Sequence, residues 1–392
     1  MDIREFFMLL AIMLCTLLCY CKSEEQLMQL SRDEELEIEN RLERLNKSSV
    51  KSIKTQNGDT YDCIDFYKQP AFDHHLLKNH IYDSQIKPSS RPKVMTNEKS
   101  RNDVEQISIN NMFNNETCPS GTVPIRRYTK EDLIRAKLFT KSYSARIRSI
   151  NLENASFHHA IVRTKFDPSK KYNGGWTNAS FYTLDVIGLQ YTSGRMKLQN
   201  GVDSIQAGWT INPTLYGDSK THVFAFFQAG ELSCFNTMCS GFVLTSPRAI
   251  ADYILDERHP GTVPVREFQI TIYRDQITGN WWLEFGDIQI GYWPSSIFTD
   301  LKDLATYVDW GGETYSPIGQ PGPPMGSDLF LKHDARYDTY CRQLSIINEA
   351  HNLEDAKSTE SFSTDVNFYQ VENWGYKPFF GYVMTYGGPG PR

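Results

Sequence analysis

One short stretch of the sequence combines a carboxylate with two glycines. The stretch VDWGGETYS, residues 308–316, places Glu313 directly after Trp310, Gly311 and Gly312. Paired glycines let a backbone turn sharply and approach a neighbouring strand closely. We therefore expect Gly311 and Gly312 to form a turn that aims Glu313. Acid–base chemistry at such a carboxylate requires a second group within hydrogen-bond reach of a shared water.

Most other kinds of catalytic site have no counterpart in this sequence. It contains no G-x-S-x-G nucleophile motif, and no glycine-rich phosphate loop follows a predicted strand. Histidine occurs in two doublets, at residues 74–75 and 158–159. Adjacent side chains of a strand point to opposite faces, so a doublet there is a poor chelate. The cysteines form no C-x-x-C pair. The sequence predicts neither a metal site nor a cofactor.

The charge balance excludes the usual nucleic-acid-binding proteins. The chain has 41 basic and 47 acidic side chains, which gives a formal net charge of −6. It contains no basic run, basic helix or zinc-finger spacing. A hydrophobic content of 40% with 22% charged residues is typical of a soluble globular protein.

The N-terminus resembles a secretory signal peptide. Arg4 precedes an apolar run over residues 6–20, and polar residues follow. The alternative is a signal anchor, but the run falls short of a comfortable membrane span. We predict a signal peptide over residues 1–22 and no membrane association after its removal. The protein is then secreted to the extracellular space or apoplast, or is delivered to the vacuole.

The cysteines outside the signal predict two disulfides and one thiol. Eight cysteines are present, three of them in the signal, and five are an odd number for an oxidising compartment. Cys234 and Cys239 close a short loop and pair easily. Cys63 and Cys118 flank the N-terminal segment and form the natural second pair, which leaves Cys341 free.

Four sequons add mild support for a secreted glycoprotein. Each asparagine is followed two residues later by Ser or Thr, and the four are Asn46, Asn115, Asn154 and Asn178.

The pattern of the chain changes near residue 151. Residues 22–47 are charged and favour helix, and residues 83–115 are polar enough to be a linker. Beyond residue 151, aromatic and β-branched residues alternate with polar ones between turn residues. This alternation predicts an antiparallel β-sandwich or barrel. One helix is expected over residues 294–310, where apolar residues recur at helical spacing.

Several long motifs resemble the plant neprosin family. They are SIQAGWTINPTLYGDSKT, CFNTMCSGFV, DQITGNWWLEFGDIQIGYWP, VDWGGE and the terminal YGGPG, together with DCIDFYKQPAFDHHLLKNH and CPSGTVPIRR nearer the N-terminus. The first group resembles the family's catalytic domain and the second its activation peptide. The resemblance implies a signal at 1–22, an activation-peptide-like region at 23–135 and a catalytic-like β-sandwich at 150–392.

The resemblance also implies an activity and a pair of catalytic residues. Neprosin-like enzymes are secreted glutamic peptidases that cut after proline and are made as zymogens that mature in acid. Their active site lies in a groove across one sheet of an antiparallel β-sandwich. The Trp-Gly-Gly-Glu motif places one catalytic glutamate at Glu313. The Ile-Glu-Ala-Gly-Trp motif places the other at position 206, where this sequence has Gln206.

Glutamine at position 206 leaves two interpretations open. Gln206 cannot titrate, but its amide donates hydrogen bonds, and the related fungal glutamic peptidases use a Glu–Gln pair. In the first interpretation Glu313 is the general base, Gln206 is its amide partner, and Trp209 and Trp310 shape the groove. The expected partners are a proline-rich peptide substrate and the chain's own N-terminal propeptide. Alternatively, the member is catalytically impaired.

Two rival functions use the same residues differently. A groove lined by aromatics such as Trp282 and Tyr292 could bind proline-rich or cell-wall glycoprotein ligands without cutting them, because aromatic rings stack on proline and sugar faces. Strand alternation sends Trp281 and Trp282 to opposite faces, so only one of them can line such a groove. A glycoside hydrolase pairing Glu313 with Glu284 has the right residue types but no motif.

Overall fold

The computed structural model describes most of the chain beyond its first 30 residues. The described residues are 31–55, 57–78, 83, 85–92, 104–106, 117–147, 157–248, 251–317 and 319–391, with the side chains of 104–106 and 140–147 excluded. The predicted signal peptide and the sequons at Asn115 and Asn154 lie outside them. Within these residues no helix has both the length and the apolar character needed to cross a membrane.

The described chain begins with helix α1, Arg32–Leu45. Ser31 and Glu34 form a reciprocal capping box, in which the Ser31 N–H donates to the Glu34 carboxylate at 3.0 Å and the Glu34 N–H donates to the Ser31 hydroxyl at 3.3 Å. The fold divides into two compact units, Met1–Glu43 and Arg44–Arg392. The elements described next belong to the second unit.

A small sheet and a helix form the N-terminal part of the second unit. Strands β1 (Lys51–Lys54), β2 (Thr60–Asp65) and β4 (Thr122–Arg126) pair antiparallel in the order β1-β2-β4. Strand β3 (Val104–Gln106) instead pairs parallel with a strand of the main sandwich. Helix α2, Lys130–Ile147, follows β4.

The rest of the chain is almost entirely strand. The elements are β5 Phe157–Thr164, β6 Tyr172–Ser180, β7 Tyr191–Asn200, β8 Asp203–Ile211, α3 Pro213–Tyr216, β9 His222–Ala229, β10 Leu232–Phe235, β11 Val243–Leu244, β12 Val265–Arg274, β13 Trp281–Phe285, β14 Ile288–Trp293, β15 Tyr307–Tyr315, β16 Thr339–Asn348, β17 Leu353–Asp355, β18 Thr359–Ser363, β19 Gln370–Lys377 and β20 Gly381–Gly387.

These strands form two sheets. The seven-stranded sheet has the order β10-β9-β8-β7-β15-β5-β18. The larger sheet has the order β11-β14-β13-β12-β6-β16-β20-β19, with β17 paired to β16 and β3 to β12. All pairings within these sheets are antiparallel except that of β3 with β12. The predicted antiparallel β-sandwich is confirmed.

The inner faces of the two sheets meet in a core of large apolar side chains. A methyl group built on Gly175 in the larger sheet would meet Met196 and Val308 of the smaller sheet at 3.0 and 3.2 Å, so the sheets are in close contact there. The indole N–H of Trp209 donates across the interface to the Ser180 carbonyl at 3.0 Å. Strand alternation therefore turns the polar residues of β7, β8 and β15 to the outer face.

The helix expected over residues 294–310 is wrong. A single 3₁₀ turn, Ser295–Ile297, is followed by irregular chain, and β15 begins at Tyr307. The carboxylate of the buried Asp203 explains the break, because it accepts the backbone N–H groups of residues 299–301 at 2.5–3.1 Å. These donors would otherwise serve a helix.

Both predicted disulfides are present, and Cys341 is a buried free thiol. Cys63 in β2 is bonded to Cys118, and Cys234 in β10 to Cys239. The pairings therefore follow the expectation from spacing.

The position of Asn178 contradicts the prediction that this asparagine is glycosylated. Asn178 lies inside β6, is 1% exposed and donates from its amide to Gln343. A glycan on this nitrogen has no room in the folded sheet. Asn46 is half-buried, and its side chain exchanges hydrogen bonds with the backbone of Tyr128 at 2.7 and 3.0 Å.

Candidate active site

Glu313 lies on the outer face of the seven-stranded sheet, near the end of β15. Its cross-strand neighbours are His159 in β5 and Ser193 in β7. The register is regular along β15, so Asp309 and Gly311 share the outer face with Glu313. The carboxylate is 5% exposed.

Three donors hold the Glu313 carboxylate. The Tyr191 hydroxyl donates to Oε1 at 2.6 Å. The Arg195 guanidinium donates to Oε2 at 3.2 Å, and the His159 Nε2 lies 3.1 Å from the same oxygen. The neighbouring ring of His158 does not join this contact and packs on Tyr369, with ring centroids 5.1 Å apart.

Arg195 joins two carboxylates. Its guanidinium contacts Asp309 through Nη1 and Glu313 through Nη2, and all three side chains are at least nine-tenths buried. Burial acts to raise the pKa of Glu313, but the charge of Arg195 and the hydrogen bonds from His159 and Tyr191 outweigh it. The pKa of Glu313 is therefore well below its usual range, and the carboxylate stays ionised in acid.

The two glycines of the motif lie inside β15, so the predicted turn is wrong. Gly311 has φ +133°, and a side chain there would collide with the backbone of Ala160 and Ile161 in β5. A Cβ on Gly312 would lie 2.5 Å from the Met325 sulfur on the core side. Gly311 thus permits close approach of β5 within the sheet and Gly312 permits close packing of the core, and strand alternation rather than a turn orients Glu313.

Gln206 lies on the same outer face but at a different level of the sheet. It is 1% exposed and stands opposite Lys197 in β7, which stands opposite Asp309 in β15. Gln206 is therefore two strands and four residues from the level of Glu313, and four residues correspond to about 13 Å along a strand. Its role as amide partner stays a prediction.

Lys197 completes the charged outer face. Its side chain is half-buried, between Gln206 on one side and Asp309 on the other. Burial lowers the pKa of the Lys197 amine and the charge of Arg195 adds to this, while the Asp309 and Glu313 carboxylates oppose it. The net pKa shift is downward because burial and the charge of Arg195 together outweigh the opposing effect of the two carboxylates.

Helix α2 covers this face of the sheet. Phe139 packs on Tyr191 with ring centroids 5.3 Å apart and on Phe235 at 5.4 Å. Phe235 in turn packs on Phe226, the direct neighbour of Gln206 in β9, at 4.7 Å. Phe139 therefore lies between Tyr191, which donates to Glu313, and Phe235, which is two strands from Gln206.

Two of the four predicted groove aromatics point away from Glu313. Trp209 and Trp310 are fully buried and lie on the inner face, where they belong to the core between the sheets. Trp310 is three residues before Glu313, and an odd spacing on a strand gives opposite faces. The prediction that these side chains shape the groove is wrong.

The other two groove aromatics lie in the other sheet. Trp282 and Tyr292 face each other across β13 and β14, with ring centroids 4.9 Å apart, and both are fully buried. Glu284, the acid of the glycosidase alternative, is on the same sheet. Its carboxylate is held by Arg91 at 2.9 Å and by the Tyr273 hydroxyl at 2.7 Å. These residues form no groove with Glu313.

Sequence reasoning missed four residues that surround Glu313. Tyr191, Arg195, Asp309 and His159 come from three strands, and their contacts depend on the register between strands more than 100 residues apart. One signal was available: positions 191, 193, 195 and 197 are polar on a single face of β7. In the described part of the chain, no cluster of three His, Cys, Asp or Glu side chains could hold a metal ion.

Comparison with known proteins places these features in a family. Residues 188–389 match the Neprosin family model, and residues 52–163 match the Neprosin activation peptide. Two crystal structures of scytalido-glutamic peptidase, with a peptide-based transition state analog and with a transition state analog inhibitor, are 10% and 8% identical to this chain. Their TM-scores are 0.36 and 0.34, and each comparison covers 59% of this chain and 98% of the other.

The matched regions account for the main structural parts. The activation-peptide match contains β2, β4 and α2, the helix whose Phe139 covers the Glu313 face. The Neprosin match contains Gln206, Glu313 and all strands from β7 to β20. Because the Neprosin match alone spans more than half of the sequence, the chain belongs to the neprosin family and carries that family's activation peptide.

Proposed function

We propose that this chain is the secreted zymogen of a glutamic endopeptidase that cleaves after proline, with Glu313 as its general base. One observation carries the proposal: the Glu313 carboxylate is fixed by Tyr191, Arg195 and His159 on a sheet face that α2 covers. Family membership supports the peptidase class and the proline preference.

The chemistry follows from the state of the carboxylate. Ionised Glu313 accepts a proton from a water molecule as the water oxygen attacks the scissile carbonyl carbon. The amide N–H of Gln206 donates to the oxygen that gains negative charge. When the carbon–nitrogen bond breaks, the protonated Glu313 returns the proton to the leaving amine.

The lowered pKa of Glu313 suits an enzyme of acidic compartments. A general base must be ionised at the working pH, and the Arg195 ion pair keeps Glu313 ionised in acid. The same ion pair has a cost, because a base with a lower pKa abstracts protons less readily. We therefore expect slow turnover with its maximum on the acid side.

The activation peptide explains why the chain is inactive when first made. Phe139 on α2 occupies the face over which a substrate would lie. Displacement of α2 is then required before a peptide can reach Glu313. The regions 1–22 and 150–392 serve as signal and enzyme in this proposal, and the propeptide extends beyond the predicted 23–135 to include Phe139, which lies within the activation-peptide match of residues 52–163.

A second function is favoured by the Arg195 ion pair itself. A carboxylate fully engaged by Arg195, His159 and Tyr191 is a poor base, and glutamine at position 206 supplies no second acid. In this case the uncovered face binds proline-rich peptide without cutting it.

Peptide cleavage distinguishes the two functions. The full chain is produced in a secretory host, acidified and offered an unstructured proline-rich peptide, and the products are identified by mass spectrometry. Glu313→Gln tests the base. Glu360→Gln is the matched control, because Glu360 lies on β18 of the same sheet in a surface ion pair with Arg163.

The peptidase proposal expects cleavage after proline that Glu313→Gln abolishes and Glu360→Gln leaves unchanged. Cleavage only by Gln206→Glu would instead support the binding function in the natural chain. If neither the natural chain nor Gln206→Glu cleaves, the peptidase proposal is wrong for this member.

A further inference from the structure

Lys197 is a charged side chain on the candidate site that the proposed reaction leaves unused. It lies on the outer face of β7, directly opposite Gln206 and directly opposite Asp309. It is therefore one strand nearer to Glu313 than Gln206 is. Directly opposed residues of an antiparallel pair have Cβ atoms about 5 Å apart. The Lys197 amine and the Gln206 amide can therefore both donate hydrogen bonds to the same atom of a bound molecule.

The Lys197 amine differs from the other cation of the site. Arg195 is committed to Asp309 and Glu313 through separate nitrogens. In the described part of the chain no hydrogen bond or ion pair engages the Lys197 amine. A half-buried ammonium normally acquires a partner, because burial of an unpaired charge is costly. The three N–H donors of Lys197 are therefore available to a bound molecule.

We propose that Lys197 is a catalytic residue that stabilises the oxyanion of the tetrahedral intermediate, together with the amide of Gln206. The inference rests on the proposed peptidase function. In this role the reacting carbonyl lies above Arg195, midway along the roughly 13 Å that separates the level of Glu313 from the level of Lys197 and Gln206, and the side chains from both levels lean toward it. Arg195 stands directly opposite Gly311 in β15 and directly opposite Gly208 in β8. Across these three strands, the guanidinium is therefore the only side chain at the level between Glu313 and Lys197.

The step balances with Lys197 keeping its proton. Water gives a proton to Glu313 and its oxygen bonds to the carbonyl carbon, while the carbonyl π electrons move to oxygen. The resulting oxyanion is held by the Lys197 ammonium and a Gln206 N–H. Its electron pair then re-forms the carbonyl, the carbon–nitrogen bond pair leaves with nitrogen, and Glu313 returns the proton to that nitrogen.

The location explains how glutamine at position 206 is compatible with activity. A paired acid would supply a proton that neutralises the developing charge, whereas Gln206 supplies only a dipole. An ammonium on the adjacent strand supplies a full positive charge at the same level of the sheet. Lys197 and Gln206 in this arrangement act as one electrophilic unit.

Two measurements on the acidified full chain test this role. The first compares kcat and KM for a proline-rich peptide among the natural chain, Lys197→Met and Lys197→Arg. The second measures binding of a peptide ending in prolinal, whose hydrate resembles the tetrahedral intermediate, against the corresponding prolinol. Lys171→Met is the matched control, because Lys171 is an exposed lysine paired with Asp303 at 3.5 Å.

We expect Lys197→Met to lower kcat about 100- to 1000-fold, the usual effect of losing one oxyanion donor, with KM nearly unchanged. Lys197→Arg should restore part of kcat. The aldehyde should lose affinity in Lys197→Met while the alcohol does not. Lys171→Met should behave as the natural chain does.

Three results would overturn the inference. If the natural chain cleaves, Glu313→Gln is inactive and Lys197→Met retains kcat, then the proposed function stands and the role of Lys197 is wrong. Equal loss of aldehyde and alcohol affinity in Lys197→Met would assign the lysine to substrate binding instead. A natural chain that neither cleaves the peptide nor prefers the aldehyde contradicts both proposals.

Discussion

Arg195 and Glu313 form a buried ion pair, with Nη2 of the guanidinium 3.2 Å from Oε2 of the carboxylate. The other terminal nitrogen of Arg195 contacts Asp309. One guanidinium thus compensates two carboxylates that lie four residues apart on β15. The pair links stability to the candidate chemistry, because the same contact that keeps Glu313 ionised also holds β7 against β15.

Replacement of Arg195 by methionine should destabilise the fold in a pH-dependent way. The variant leaves buried carboxylates without their cation, which costs about 3–5 kcal/mol at neutral pH. In the natural chain the pKa of Glu313 is lower in the folded state than in the unfolded state, where it is about 4.3. Ionisation of Glu313 therefore stabilises the fold above about pH 4.3, and this stabilisation is lost only as the pH falls through the lower folded-state pKa. In Arg195→Met the buried carboxyl can protonate, so the decrease in the free energy of unfolding should be smaller at pH 4.5 than at pH 7.

Denaturant unfolding at pH 7 and pH 4.5 measures this difference. Arg163→Met is the control, because the Arg163–Glu360 pair at 2.9 Å is partly exposed and should contribute no more than about 1 kcal/mol. An equal loss at both pH values in Arg195→Met would show that the guanidinium acts through packing and not through charge.

Substitution of Phe139 by alanine should loosen α2 from the candidate site. Phe139 is 5% exposed and touches both Tyr191 and Phe235. Truncation of a buried Phe costs about 3 kcal/mol or more, and that energy is lost from the docking of α2. The rate of proteolysis depends on the fraction of molecules in which the segment is locally unfolded. A lower free energy of local unfolding should therefore accelerate tryptic cleavage within α2 on the order of 100-fold at neutral pH.

Phe166→Ala is the matched control, since Phe166 is 92% exposed. Cleavage sites within α2 are read by mass spectrometry of the tryptic fragments. If α2 in Phe139→Ala is cut no faster than in the control, other contacts of the helix dominate its docking.

The fold and the disulfides could be predicted because their signals are local. Alternation of apolar and polar residues identified the strands, and the five-residue spacing of Cys234 and Cys239 predicted their bond. The unpaired state of Cys341 followed from an odd count, whereas its burial was not predicted. These predictions depend on spacing within one segment or on arithmetic, and neither requires knowledge of sheet order.

The surroundings of Glu313 could be predicted only in part. The resemblance identified Glu313 itself, and strand parity could have shown that Trp310 faces away from it. The glycine pair was interpreted as a turn because glycine serves turns and tight strand contacts equally well. Arg195 and Tyr191 meet Glu313 because β7 lies beside β15, and no local pattern shows which strands are neighbours.

The free thiol of Cys341 should be inert in the folded protein. Cys341 is fully buried in β16, and burial raises the pKa of its thiol to about 12. Thiolate is the reactive form, so maleimide labelling at pH 7 should be negligible until the chain is unfolded with its disulfides intact. The measurement uses a chain starting at Ser23, with Phe166→Cys as an exposed control that labels immediately. Rapid labelling of Cys341 in the folded chain would contradict its burial.

Acid should release the segment around Ser89 from the larger sheet. The Asp275 carboxylate accepts the backbone N–H groups of Ser89 at 2.7 Å and Ser90 at 3.2 Å, and Thr278 donates from its backbone at 2.9 Å and its hydroxyl at 2.6 Å. Burial acts to raise the pKa of Asp275, but hydrogen bonds from Ser89 and Thr278 outweigh it and the net shift is downward. The segment around Ser89 is therefore fully docked above pH 3.9, which is about the pKa of an aspartate in the unfolded chain. Docking is lost as the pH falls through the lower pKa that Asp275 has in the folded state.

The amide resonance of Ser89 reports this docking directly by NMR. Its chemical shift should change with a midpoint below about 3.9, the ordinary value for an aspartate. Asp275→Asn should abolish the transition and leave Ser89 and Ser90 more open to cleavage by a non-specific protease such as subtilisin at neutral pH, because an amide accepts these hydrogen bonds more weakly than a carboxylate. A midpoint at or above the ordinary aspartate value would mean that the hydrogen bonds from Ser89 and Thr278 do not outweigh burial, and that docking of this segment is lost under milder acid.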